Sequence, residues 1–247
     1  MYRFLVRPKW IGFHLLIVVG IVTMINLGLW QLRRLEQRQA FNANVEARYD
    51  AEPLPINTAL GSVDDPKTVE WQPVNASGAY LPDEQLRIVN RSQNGRAGDN
   101  IVTPLLLDDG RILLVNRGFV PLDDEVPDAP SGPVDVTGRL HPSQERRGVQ
   151  LSDPAEGDLT EAQRIDIPRL APQLPGDVVP VYIDLISSSP AEGPGAPAPV
   201  AAPELGEGNH LSYAVQWLIF TICVAVGWVL AVKRSIRTHR QQLANSR

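Results

Sequence analysis

Cysteine is nearly missing from this chain of 247 residues; the single copy, Cys223, sits in the middle of an apolar run. No disulfide can brace the molecule, so stability has to come from packing. Without Cys-x-x-Cys there is neither a thioredoxin-like redox pair nor a c-type haem attachment site. Methionine is as scarce, with only Met1 and Met24, and a copper carrier would want more soft ligands than these. Four histidines are scattered: His14 and His210 belong to apolar segments, His239 to the C-terminal tail, and His141 to the region between. No HExxH or other His/carboxylate cluster appears, so zinc has almost nothing to bind. A Ser-His-Asp catalyst would have to use His141, which Pro142 follows at once, and no serine lies in a GxSxG string. These absences argue against an enzyme, and no nucleic-acid partner is expected.

Acidic residues are absent from two long apolar stretches, one near each end. The first runs from Ile11 to Leu29 between Trp10 and Trp30; the second runs from Leu211 to Val232, with no charge until Lys233. At about 1.5 Å per residue each covers roughly 30 Å, the thickness of a bilayer's hydrocarbon core. Tryptophans at the ends suit the headgroup region. The expected fold class is a membrane protein in which two transmembrane helices flank a mainly antiparallel β domain, a small barrel or sandwich with some helix.

Charge sets the expected orientation. Arg3, Arg7 and Lys9 precede the first span; Lys233, Arg234, Arg237, Arg240 and Arg247 follow the second. Residues 30–210 hold the other 15 basic and all 28 acidic residues, a net of −13. Short basic tails stay in the cytoplasm, whereas a long loop is exported largely regardless of its charge. Arg33, Arg34 and Arg38 argue weakly the other way, but no Lys or Arg lies in the forty residues before the second span. Both termini are therefore expected inside and the loop outside. The first apolar core is too long for a signal-peptide h-region, and Leu27-Gly28-Leu29-Trp30 offers no small-x-small cleavage site. The few residues before it leave no room for a mitochondrial presequence. Arginine outnumbers lysine 20 to 3, as in GC-rich genomes, so a bacterial plasma membrane is expected.

These features divide the chain into a cytoplasmic N-terminus (1–10), a first span (11–30), an extracytoplasmic β-rich domain (31–186), a linker (187–209), a second span (210–232) and a basic cytoplasmic tail (233–247). Residues 31–49, free of Gly and Pro, extend the first helix. Pro53 and Pro55 stop it, and 56–68 reads as an irregular or short helical connection. From Val69 the apolar period becomes two, and Val69–Tyr80, Gln85–Arg91, Ile101–Leu107, Arg111–Val120, Val134–Leu140 and Val181–Ile186 read as strands. Asp109-Gly110 links two of them as a hairpin. Pro104 suggests an edge position or a bulge. Residues 161–174 read as helix or loop. Ser187 to Gly208, rich in Pro, Gly and Ala, reads as a semi-extended linker back to the membrane.

Three clusters carry candidate chemistry. In LGLWQLRRLEQR, Trp30 suits an interfacial anchor, while Arg33, Arg34 and Arg38 meet lipid phosphates or water; Gly28 permits close helix contact. On the strands, Asn90-Arg91 and Asn116-Arg117-Gly118 put polar groups among apolar neighbours, either as a buried network or as a partner surface. Asn116 falls on the side of Ile112 and Leu114, and Arg117 on that of Leu113 and Val115. In EGNHLSYAVQW, Asn209 or Ser212 can cap a helix. There His210, Tyr213 and Trp217 recur at i, i+3 and i+7, either as ordinary interfacial residues or as an imidazole beside flat aromatic surfaces, which an axial haem site requires. His14 is a second candidate, which snorkelling explains equally well.

In this order, LGLWQLRR, WQPVNASGAY, VNRSQNGRAGDNIVTPL, LLVNRGFVP and EGNHLSYAVQW resemble the surfeit-locus protein 1 family of cytochrome c oxidase assembly factors. The likeness covers about residues 27–120 and 204–230. It implies a role in maturing the oxidase catalytic subunit by receiving or inserting haem a, bound transiently at His210 with Tyr213 and Trp217 beside it. The implied partners are that catalytic subunit, other respiratory-complex subunits and the bilayer. The family's tryptophan in VNRGW is Phe119 here, which loses an indole donor. The alternative is a permanent accessory or scaffold subunit of a respiratory oxidase assembly without its own haem.

Overall fold

The computed structural model describes residues 3–61, 65–146 and 148–245. Arg247, counted above among the tail cations, lies outside the described residues, as do Ser62, Val63 and Asp64 of the 56–68 connection. The chain forms two compact units. One joins Met1–Ala43 to Leu205–Arg247, and the other is Asn44–Glu204.

The first unit consists of two helices. Helix α1 (Pro8–Arg48) begins with a proline at its first position, where a missing N–H costs nothing. Its 41 residues amount to about 60 Å. The chain has short helices α2 (Ile56–Gly61) and α3 (Ile167–Leu170) in the second unit, and returns to the first in α4 (His210–Asn245). Along both long helices the large apolar side chains are bare: Leu15, Leu16, Val18, Val19, Leu218 and Phe220 are more than half exposed. Continuous bare apolar surface of this kind is unfavourable in water. Both helices are long and apolar enough to cross a membrane. Polar atoms within them close on their own backbone: Asn26 Nδ2 donates to Val22 O at 2.8 Å and Thr221 Oγ1 to Trp217 O at 2.8 Å. In lipid no water would do that job.

The second unit is built on one eight-stranded sheet. Strands β2 (Pro73–Tyr80), β6 (Pro133–Pro142), β8 (Val178–Ser189), β5 (Ile112–Pro121) and β4 (Arg96–Leu107) pair in that order, and β4 pairs back to β2, closing a ring. Strand β3 (Leu86–Gln93) extends from β4, and the two-residue strands β7 (Glu161–Ala162) and β1 (Leu54–Pro55) lie on β3 and β2. The expected mainly antiparallel sheet is corrected here: the sheet is mixed. Strand β5 runs parallel to β8, with Leu114 opposite Tyr182 and Asn116 opposite Asp184, and β1–β2 and β3–β7 are parallel too. The chain between β5 and β8, which includes β6 and α3, is long enough for the crossover that parallel pairing needs.

Two details differ from the sequence reading. Residues 69–72 are not strand: a 3-10 turn, Pro66–Val69, capped by the Asp65 side chain, comes first, and Trp71 has φ +75°. Pro104 lies inside the ring, not at an edge. Strand β4 pairs with β3 up to Val102 and with β2 from Leu105, so the proline's missing N–H falls where it changes neighbours. The bulge against β5 comes earlier, between Ile101 and Val102.

The apolar run at the start of β5 is buried on both faces. Leu113 and Val115 join Val74, Leu105, Leu140 and Ile183 in one core; Ile112 and Leu114 join Leu86, Val102, Ile165 and Leu170 in a second. That explains a continuous apolar run where a one-sided strand would alternate. Residues after β8 do not form a free linker. Phe119 N donates to Ala198 O at 2.7 Å and Ala198 N to Phe119 O at 2.8 Å, so the segment is strapped to β5. Gly118, at φ +133°, permits this: a Cβ there would meet Ala198 O at 2.2 Å.

Candidate functional site

The entry to α4 is held by the C-terminal part of α1. Arg38 Nε donates to Gly206 O at 3.0 Å, Gln39 Nε2 to Glu207 Oε1 at 3.1 Å, and Asn42 Nδ2 to Leu205 O at 2.8 Å. The helix starts at His210, and Asn209 contributes its carbonyl, which accepts from Tyr213 N at 3.1 Å. The two helices come close at Gly28, where a Cβ would lie 3.6 Å from Trp217 Cβ and 3.8 Å from Ala214 O. Small residues at such a crossing let backbones approach.

This crossing sets the state of His210. Its Nδ1 lies 2.8 Å from Gln31 Oε1. An amide oxygen only accepts, so Nδ1 is the donor, and in the neutral ring the lone pair then belongs to Nε2. Fixing one ring nitrogen with a carbonyl is how proteins prepare the other as a metal ligand. Gly208, at φ +70°, lies beside that second nitrogen, and a Cβ there would come within 3.3 Å of Nε2. A glycine leaves the lone pair approachable. The donor set therefore fits a single imidazole contact to a haem iron.

Of the other residues in the stripe, Trp217 lies on the seam, half-buried, with its ring edge-to-face against Phe220 at 6.0 Å. Tyr213 is 48% exposed on the outer flank, because three residues rotate it about 300° from His210, away from Ala214. Trp30 is 51% exposed and Arg33 is exposed; both project away from the α4 contact. His14 takes the opposite tautomer. Its Nδ1 accepts from Trp228 Nε1 at 2.9 Å, which puts the proton on Nε2. The apolar flank opposite the His210 stripe carries a groove of about 260 Å³ between Ile25, Leu29, Leu211 and Leu218.

In the β unit, Asn116 and Arg117 are buried on opposite sides of β5, each in its own network. Arg117 is wholly inaccessible. Its guanidinium meets Glu192 at 2.5 Å (Nη2 to Oε2), and donates to Gln85 Oε1, Pro127 O and Asp128 O at 2.9–3.1 Å. This arginine is structural and cannot reach a partner. Asn116 Nδ2 donates to Asp184 Oδ1 at 2.7 Å. Asp184 Oδ2 also makes an ion-pair contact with His141 Nε2 at 3.1 Å, and Glu70 lies 3.8 Å from the other ring nitrogen. The imidazole stacks on Tyr182 and meets the edge of Trp71. Burial opposes its charge, but the two carboxylates win and hold its pKa up at about 9. Asn90 sits at φ +61° in a bulge of β3 and donates to Gln163 Oε1, while Arg91 Nη2 donates to Gln163 O.

The sequence candidates thus fall in separate places: His210 and Trp217 together with Gln31, Tyr213 to the side, and the Asn/Arg strings in the sheet. Gln31 was missed as a partner. The signal was present, since it lies three residues after Gly28 and therefore on nearly the same face of α1.

The SURF1 family pattern matches residues 18–222. An uncharacterized SURF1-like protein of Mycobacterium tuberculosis is 29% identical over 98% of this chain and 90% of its own length. The SURF1-like protein of Monosiga brevicollis is 29% identical over 87% of this chain and 85% of its own. Surfeit locus protein 1 of Xenopus tropicalis is 26% identical over 91% of this chain and 75% of its own. With a family match that covers the whole sheet and runs into the apolar stretch of both long helices, the chain belongs to the SURF1 family.

Proposed function

We propose that this protein is a membrane-anchored assembly factor for cytochrome c oxidase that receives haem a or assists its insertion into the catalytic subunit. The observation that carries this reading is the Gln31–His210 contact at 2.8 Å, which engages Nδ1 and leaves Nε2 as the nitrogen that would meet a metal. Bound haem a would supply an iron that an imidazole nitrogen can ligate. His210 would be the ligand, Gln31 would hold the ring and its proton, and Trp217 and Tyr213 would offer apolar surface. One protein ligand favours release over retention. Both termini would lie in the cytoplasm of a bacterium, with the β unit outside its plasma membrane, as the basic tails favour. The oxidase catalytic subunit and neighbouring respiratory-complex subunits would be the partners.

The test is the visible spectrum of the protein purified after co-expression with haem a synthesis, for wild type, His210→Ala and Gln31→Leu. The expected result is a haem a signal in wild type, none in His210→Ala, and occupancy weakened about tenfold or more in Gln31→Leu. An empty wild-type protein, under conditions that load the oxidase, would refute the carrier role. Fixed-stoichiometry co-purification with mature oxidase would make the protein an accessory subunit instead.

A further inference from the structure

On the β unit a cleft of about 600 Å³ opens between β3, the end of β6 and the loop after it, a volume suited to a small ligand. Its lining reverses the acidic character of the region. Lys67, Arg91, His141 and Arg164 face it, against the carboxylates of Glu70 and Glu145.

Two of these cations are already engaged. His141 stands between Asp184 and Glu70, and Arg164 is held by Asp153 at 3.8 Å and by Leu151 O. Arg91 is different. It has no carboxylate within ion-pair range among the described residues, where its guanidinium donates from Nη2 to Gln163 O at 3.0 Å. Its Nε is fully buried and has no hydrogen-bond acceptor. A buried charged donor without an acceptor is expensive, and the planar guanidinium is shaped for a two-oxygen partner. Arg164, close enough to oppose its charge, adds to the demand for an anion.

We propose that this cleft is a binding site for an oxyanion, a phosphate or carboxylate group, seated on Arg91 with Lys67 at the mouth. The geometry specifies the group, and the molecule bearing it is either a soluble metabolite or a phospholipid headgroup. This proposal stands independently of the haem reading, since it uses none of the same residues.

The test uses the full chain in an uncharged detergent, titrated calorimetrically with inorganic phosphate, with acetate and with dihexanoyl phosphatidic acid. The expected result is one equivalent of at least one probe, with affinity reduced about tenfold or more in Arg91→Gln and severalfold in Lys67→Gln. Arg91→Lys, which keeps the charge and loses the fork, should fall between. Phosphatidic acid binding at least about tenfold tighter than phosphate identifies a lipid source, and near-equal binding a soluble one. Failure of all three probes up to about 10 mM overturns the proposal. So does binding that neither Arg91→Lys nor the exposed Lys67→Gln weakens, a comparison that holds even if Arg91→Gln fails to fold.

Discussion

Removing Arg117 should do more damage than any other single change in the β unit. The side chain is 0% exposed and its carboxylate partner Glu192 is 12% exposed, so the pair lies in a low-dielectric interior. Truncation to alanine takes the guanidinium from Glu192, Pro127 O and Asp128 O at once, and leaves Gln85 Oε1 with only the Thr103 hydroxyl. Breaking a buried pair from one side costs about 3–5 kcal/mol, because the surviving charge stays buried. Glu192→Gln keeps an acceptor for the guanidinium and loses the charge, so it should cost about 1–3 kcal/mol. In Arg117→Ala/Glu192→Gln the second change should relieve part of the first, leaving a coupling of at least about 1 kcal/mol. Denaturant unfolding of the full chain in detergent, followed by hydrogen exchange in β5 peptides, reads the β unit apart from the helices. A loss under about 1 kcal/mol for Arg117→Ala, or additive effects in the double variant, would refute the reasoning and return Arg117 to the list of partner contacts.

His141 gives the unit a pH dependence of definite sign. Its pKa is raised from 6.5 to about 9 in the fold, so its contribution is full below pH 6.5 and is lost as pH rises through 9. The swing is on the order of 3 kcal/mol, and unfolding midpoints at pH 6 and pH 9.5 should differ in wild type and converge in His141→Gln. Gly118→Ala would drive a methyl into Ala198 O at a backbone angle of φ +133°. It should cost at least about 2 kcal/mol and free residues 196–200 to hydrogen exchange; protection equal to wild type would show that the strap does not need the glycine.

Much of the architecture was legible from spacing alone. The apolar lengths fixed two long helices, and the absence of Gly and Pro after Trp30 carried the first one on to Arg48. Five of the six expected strands lie within observed strands to within a residue or two, and Asp109-Gly110 turns the β4–β5 hairpin, with Gly110 at φ +85°. The sides of β5 were readable too, since Asn116 and Arg117 do separate into different networks. What local pattern could not carry was pairing across long sequence distance. The parallel β5–β8 register depends on a crossover, and a parallel neighbour leaves no mark on either strand's own alternation. Residues 187–208 looked like a linker because Pro, Ala and Gly carry no periodicity. Their role comes from Glu192 reaching Arg117 and Ala198 pairing with Phe119, contacts that composition does not encode. His141 looked unpromising beside Pro142, because its carboxylates come from elsewhere in the chain.

Two of the imidazoles of the helical unit, His14 and His210, sharpen the haem proposal, because the same chemistry gives them opposite roles. Each is fixed through Nδ1 by a partner on the other helix, but the partners differ in sign. Gln31 accepts, so His210 carries a proton on Nδ1, and in the neutral ring the lone pair is at Nε2. Trp228 donates, so the outer nitrogen of His14 carries a proton and offers none. An indole N–H has no acceptor capacity with which to reverse that arrangement. Under the haem proposal, His210 and not His14 would be the imidazole that meets the iron. His14 lies about 17 residues, roughly 25 Å, along α1 from the Gln31 that holds His210, so the two imidazoles could not share one porphyrin, and a single ligand would leave it to a better-equipped site on a client protein.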